Sequence, residues 1–120
     1  MLALKGTLAE VDKVPVLIFD EVDAGIGGRT AESVGARLKN LSGRRQVLCI
    51  THLPQIAAVA DRHIMIEKIR NNEGIYVKVK ELSSREREEE IARMLSGKLT
   101  DISVRHAREL LKSGYRSKGN

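Results

Sequence analysis

Val16-Leu17-Ile18-Phe19-Asp20-Glu21-Val22-Asp23 decides the fold of this chain: four apolar residues in a row that end abruptly in acids. An unbroken apolar run, rather than an alternating one, predicts a strand covered on both faces, as in a parallel sheet flanked by helices. Pro15 stands near its start, where a missing N–H does least harm. A second short run, Val47-Leu48-Cys49-Ile50, ends at Thr51-His52 and reads as a second buried strand. Between the two lie a glycine-rich turn at 24–28 and a helical spacing of Ala31, Val34, Leu38 and Leu41, closed by Ser42-Gly43. Strand, helix and strand in this order predict a parallel α/β core.

Outward from that core the signals are equally local. Met1, Leu4 and Leu8 have helical spacing, with no capping residue ahead of them. Pro54 is placed to open a short helix carrying Ile56, Ala57, Val59 and Ala60. Residues 63–70 and 75–81 flank Asn71-Asn72-Glu73-Gly74, and Ile75, Val77 and Val79 alternate with Tyr76, Lys78 and Lys80. That pattern predicts a half-exposed antiparallel hairpin. Ser83 with Glu86 forms a capping-box signature for a helix to about Leu95, with Gly97 after it. A last helix is expected from Asp101 to Ser113, with Gly114 as its stop.

Composition narrows the function classes. The chain has 120 residues, 42% hydrophobic and 31% charged, which fits one small domain rather than a disordered or fibrous segment. No apolar run is long enough to span a bilayer, so no membrane role is expected. Phe19, Tyr76 and Tyr115 are the only aromatic residues, leaving little for stacking bases. Cys49 is a lone cysteine within an apolar run, read as a small buried hydrophobe in a reducing, cytoplasmic setting. The net charge of +5 is concentrated at the C-terminal end, on Arg105, Arg108, Lys112, Arg116 and Lys118. This stretch is either a solvated helix face or a contact for DNA phosphates.

Asp20, Glu21 and His52 are the candidate chemical residues. In open α/β sheets ligands bind beyond the carboxyl ends of the strands, and all three stand just there. Adjacent strand residues point oppositely, so the two acids need not share one task. One carboxylate can serve Mg²⁺ while a second group orients an attacking water. The competing reading is a solvated acidic strand end, and a further one is a metal-dependent phosphohydrolase using Asp20, Asp23 and His52. His63 and His106 read as structural, and no Cys/His spacing suits zinc. No G-x-x-x-x-G-K-[ST] phosphate loop occurs anywhere in the sequence.

VLIFDEVDAGIGG followed by ITHLPQIAAVADRHIMIEK resembles the C-terminal part of the RecN family, bacterial double-strand-break repair ATPases that are SMC-like and of the ATP-binding-cassette class. The resemblance covers essentially the whole chain and is strongest over residues 1–81. It implies that Asp20 is the Walker B aspartate serving Mg²⁺, Glu21 the catalytic glutamate and His52 the switch histidine sensing the γ-phosphate. Ala24, Gly25, Ile26 and Gly27 would occupy the D-loop, with Gly27 standing where many cassette ATPases have an aspartate. The implied cofactors are ATP and Mg²⁺. The implied partners are the remaining N-terminal head lobe and coiled coil, a second head in an ATP-dependent dimer, and DNA.

On this reading residues 1–120 form one partial domain, a C-terminal fragment of a P-loop ATPase head with parallel core strands, flanking helices and an antiparallel hairpin. The Walker A loop and signature motif would lie upstream of Met1, consistent with the uncapped first helix. The isolated chain is then expected to be inactive, and its localisation bacterial, cytoplasmic and nucleoid-associated. The alternative is a small basic DNA-binding or interaction module without catalysis.

Overall fold

The computed structural model describes residues 15–20 and 27–116. The expected first helix, Glu21 and the turn residues Ala24, Gly25 and Ile26 lie outside the described residues. Strand β1 (Val16–Asp20) pairs in parallel with β2 (Gln46–Ile50), in a register from Val16 beside Gln46 to Asp20 beside Ile50. Helix α1 (Gly28–Ser42) makes the connection between them. Its apolar stripe packs on one sheet face, where Phe19, Ala31, Leu38 and Ile56 are buried and Leu17, Val34, Leu41, Val47, Cys49 and Leu53 pack around them. Phe19 is only 1% exposed, and burial of such a ring stabilises by about 1.5–3 kcal/mol.

The opposite face differs from the sequence expectation. Val16, Ile18, Leu48 and Ile50 are 40–63% exposed. The period of two sends alternate residues to opposite faces, and among the described residues only one face receives a helix. The apolar run records what the strand is suited to, and no described element covers this face.

Pro54 opens the short helix α2 (Pro54–Ala57) as expected, at the position where its absent N–H costs nothing. Strands β3 (Ile64–Asn71) and β4 (Gly74–Glu81) form the predicted antiparallel hairpin, and the Asn71 side chain accepts from the Glu73 N–H in its loop at 2.9 Å. Every β4 residue is exposed, so the expected half-burial is not found. Ile64, Ile66, Ile75, Val77 and Val79 share one open face, 50–64% exposed.

Helix α3 (Ser84–Ser96) begins with the capping box read from the sequence. Ser83 Oγ accepts from the Glu86 N–H at 3.3 Å, and Glu86 Oε1 accepts from the Ser83 N–H at 3.2 Å. Gly97 ends the helix in the left-handed conformation at φ 73°, which a side chain would strain. Helix α4 (Asp101–Arg116) opens on a similar reciprocal pair between Thr100 and Ser103. It runs through Gly114 rather than stopping there. The glycine has a different purpose: a Cβ at this position would lie 2.9 Å from the Ala58 carbonyl oxygen, so the helix can approach α2 only without one. The second core joins Ala57 and Ala58 to Ile91, Ala92 and Ala107.

Candidate functional site

Parallel pairing brings the two strand ends to the same edge. Asp20 is the last residue of β1 and lies beside Ile50, the last of β2. His52 follows two positions later and is exposed, as is Asp20. The chain around His52 is held by its neighbours: Thr51 Oγ1 accepts from the Leu53 N–H at 3.0 Å, a side-chain turn centred on the histidine. Leu53 then packs into the sheet core, and Pro54 starts α2. The imidazole is thus presented from a short, tied connection rather than a free loop.

Two of the candidate residues, Asp20 and His52, therefore lie at the same edge. Glu21, Ala24, Gly25 and Ile26 belong to the undescribed stretch, whereas Gly27 is exposed and caps α1, its carbonyl accepting from the Ala31 N–H at 2.9 Å. Among the described residues no group of three or more His, Cys, Asp or Glu is assembled. Mg²⁺, however, commonly takes one or two carboxylates together with phosphate oxygens and waters. One exposed carboxylate at a strand end fits that mode, with Asp20 as the residue for it.

The other two histidines lie away from this edge, His63 before β3 and His106 on α4. His63, before β3, is half-buried, with Nδ1 buried and unpartnered. Burial and the nearby Arg87 guanidinium push its pKa below the usual value, against a smaller opposing effect of Glu90. On α4, Arg105, Arg108 and Lys112 are exposed along one side, and Arg108 Nε donates to Glu88 at 3.0 Å. That ion pair lowers what Arg108 can offer a phosphate. Lys118 lies outside the described residues.

Sequence reasoning missed what secures α2 behind His52. Lys39 of α1 donates to Asp61 at 2.6 Å, with the lysine side chain only 10% exposed. Arg87 of α3 donates to the Ala57 and Ala58 carbonyls at 3.0 and 3.2 Å and also to that of Ala60. In Ser84-Arg85-Glu86-Arg87-Glu88-Glu89-Glu90 nothing distinguishes Arg87 from the solvated charges around it.

Known proteins resemble this chain in sequence and in fold. The DNA repair protein RecN of Rickettsia prowazekii (strain Madrid E) is 53% identical over 112 residues, 92% of this chain and 20% of the relative. RecN of Treponema pallidum (strain Nichols) is 46% identical over 119 residues, and that of Bacillus subtilis (strain 168) 46% over 113. This chain matches the C-terminal part of RecN. It spans about a fifth of the length of these RecN relatives. No family model matches. A solved structure described under ATP-driven dimerization and DNA-stimulated activation of SMC ATPases superimposes with a TM-score of 0.61 at 26% identity, covering 71% of this chain and 50% of that one. The likeness to RecN in sequence is thus joined by an SMC-type fold.

Proposed function

We propose that this chain supplies the Walker B and switch-histidine portion of a RecN-like ATPase head acting in DNA repair, residues 1–120 forming one partial domain of that head. The observation that supports it is the parallel register placing Asp20 and His52 at one sheet edge. In this reading Asp20 would hold Mg²⁺, which would offset charge on the phosphate oxygens, and His52 would hydrogen-bond the γ-phosphate. Glu21 accepts a proton from the attacking water as the bond from the γ-phosphorus to the bridging oxygen breaks and ADP leaves. Residues 24–27 communicate with a second head across an ATP-joined dimer. DNA is the expected partner of the assembled protein, in a bacterial cytoplasm. No described helix is long and apolar enough to cross a membrane.

The open face of Val16, Ile18, Leu48 and Ile50 is where the N-terminal lobe of the head, adjoining the coiled coil, would pack. The triphosphate also needs that lobe. Nothing in this sequence supplies a glycine-rich loop and lysine to neutralise it, and acids alone would repel it. The isolated chain is accordingly proposed to be inactive.

A chimaera tests this: Bacillus subtilis RecN with its matching segment replaced by this chain. ATP turnover by the chimaera, lost in Asp20→Asn and Glu21→Gln, is the expected result. Normal turnover by Glu21→Gln would remove the assigned base, and Glu21-dependent turnover by the isolated chain would overturn the split site.

A further inference from the structure

Helix α2 is four residues long, too short to hold itself, because nucleating a helical turn costs more than its first hydrogen bonds return. Its geometry is therefore set by what packs against it. Ile56 enters the sheet core, whereas Ala57 and Ala58 enter the core of the α3–α4 pair. The segment directly after His52 is thus shared between the two cores. It is also pressed from both sides at backbone range. A Cβ on Gly35 of α1 would come within 3.2 Å of the Gln55 carbonyl oxygen, and one on Gly114 of α4 within 2.9 Å of that of Ala58.

Arg87 completes this seat. Its Nη2 group donates to the carbonyls of Ala57, Ala58 and Ala60 where α2 ends, the Ala57 carbonyl also accepting from the Ala60 N–H at 3.3 Å. A cation at such carbonyls makes charge-assisted bonds and complements their dipoles. The guanidinium is half-buried and its Nε is buried without a partner. Bulk stability is a poor reason for that arrangement, because an apolar side chain of similar volume packs at no desolvation cost. Orientation is a better one, since three carbonyls converging on one donor fix the end of α2 in direction as well as place.

We infer that Arg87 is a positioning residue for His52, through which the α3–α4 helical pair sets the α2 segment and hence the imidazole at the sheet edge. The consequence for ATP turnover rests on the phosphate-sensing role proposed for His52. The structural coupling does not. Any displacement of α3 and α4, by a bound partner or by nucleic acid on the exposed side of α4, would be transmitted to the strand edge by this contact.

The test uses the 120-residue chain with Arg87→Met and Arg87→Lys, followed by the His52 ring resonances and by amide hydrogen exchange. In the Met variant the His52 resonances are expected to shift and exchange at Ala57 and Ala58 to accelerate about tenfold, with Ile91, Ala92 and Ala107 still protected. Lys, which keeps the donor charge, should restore most of both. Unchanged His52 resonances and α2 exchange in the Met variant would overturn the inference. So would a uniform loss of protection across both cores that Lys does not repair, which is what a merely structural role predicts. Should the Met variant fail to fold, Gly114→Ala, which presses on Ala58 from the same helical pair, must move the same resonances.

In the RecN chimaera, Arg87→Met should lower kcat roughly tenfold with KM for Mg-ATP unchanged. If His52→Ala leaves that turnover intact, the phosphate-sensing role fails, while the resonances decide the coupling by themselves.

Discussion

Gly114 of α4 lies flush against the backbone of Ala58, with room for a hydrogen but not a methyl: a Cβ would stand 2.9 Å from the Ala58 oxygen and 3.2 Å from its carbonyl carbon. Backbone cannot move aside as a flexible side chain does. Gly114→Ala should therefore destabilise by about 1 kcal/mol net, because a clash of about 1–3 kcal/mol outweighs the roughly 1 kcal/mol helix propensity gained. Gly43, where the added Cβ would meet only the Asn40 carbonyl oxygen at 3.4 Å, is the reference. Gly43→Ala should be neutral or stabilising by about 0.5 kcal/mol. Urea denaturation of both variants checks the contrast.

His63 makes stability depend on pH near neutrality. Its folded pKa lies below the unfolded value of 6.5, chiefly through burial and then through Arg87. As pH falls through that value the unfolded chain takes up a proton that the folded chain resists, so stability declines from there down to the folded pKa. Chemical denaturation at about pH 7.5 and pH 5.5 should show a lower midpoint in acid, and His63→Gln should reduce the difference.

The capping box has its own signature. The Lys80 ammonium, and then the Ser83 backbone and hydroxyl, pull the Glu86 carboxyl down to about 2 from 4.5. Its contribution is present above the unfolded pKa and disappears as pH falls towards 2. Ser83→Ala should cost about 1 kcal/mol, and Glu86→Gln should remove part of the acid-side slope seen by circular dichroism.

The uncovered sheet face predicts association. Ile18 is 63% and Ile50 54% exposed, beside Val16 and Leu48 on one surface. Contiguous apolar surface of this kind promotes self-association. Light scattering of the isolated chain should show oligomers that the double variant Ile18→Lys, Ile50→Lys reduces, with a change in stability of only about 0.5 kcal/mol or less. In the RecN chimaera the same pair should abolish ATP turnover. A chimaera indifferent to both lysines would mean that the N-terminal lobe packs elsewhere.

How much was legible follows the range of the interactions. The capping box at Ser83 and Glu86, the Pro54 helix start, the turn between Asn71 and Gly74 and the acid-terminated run at Phe19-Asp20 are all written within a few consecutive residues. Local sterics and hydrogen bonds suffice to specify them, so they could be read directly. The apolar run at 16–19 was legible as a strand, yet the exposed side of that strand was not, because burial of a strand face depends on which elements pack against it and not on its own residues. Gly114 looked like a helix stop, since a glycine near a helix end usually is one. Only the close approach of Ala58 shows why it stands inside a helix.

By itself the sequence determined the α/β order, the parallel strand ends bearing Asp20 and His52, and the likeness to RecN. Each depends on residue type and short spacing. Tertiary structure alone decided that α2 bridges two cores, that Lys39 holds Asp61, and that Arg87 reaches three carbonyls about thirty residues upstream. A charge in a run of charges carries no mark of its partner. Its role is fixed only when folding brings the acceptors within reach.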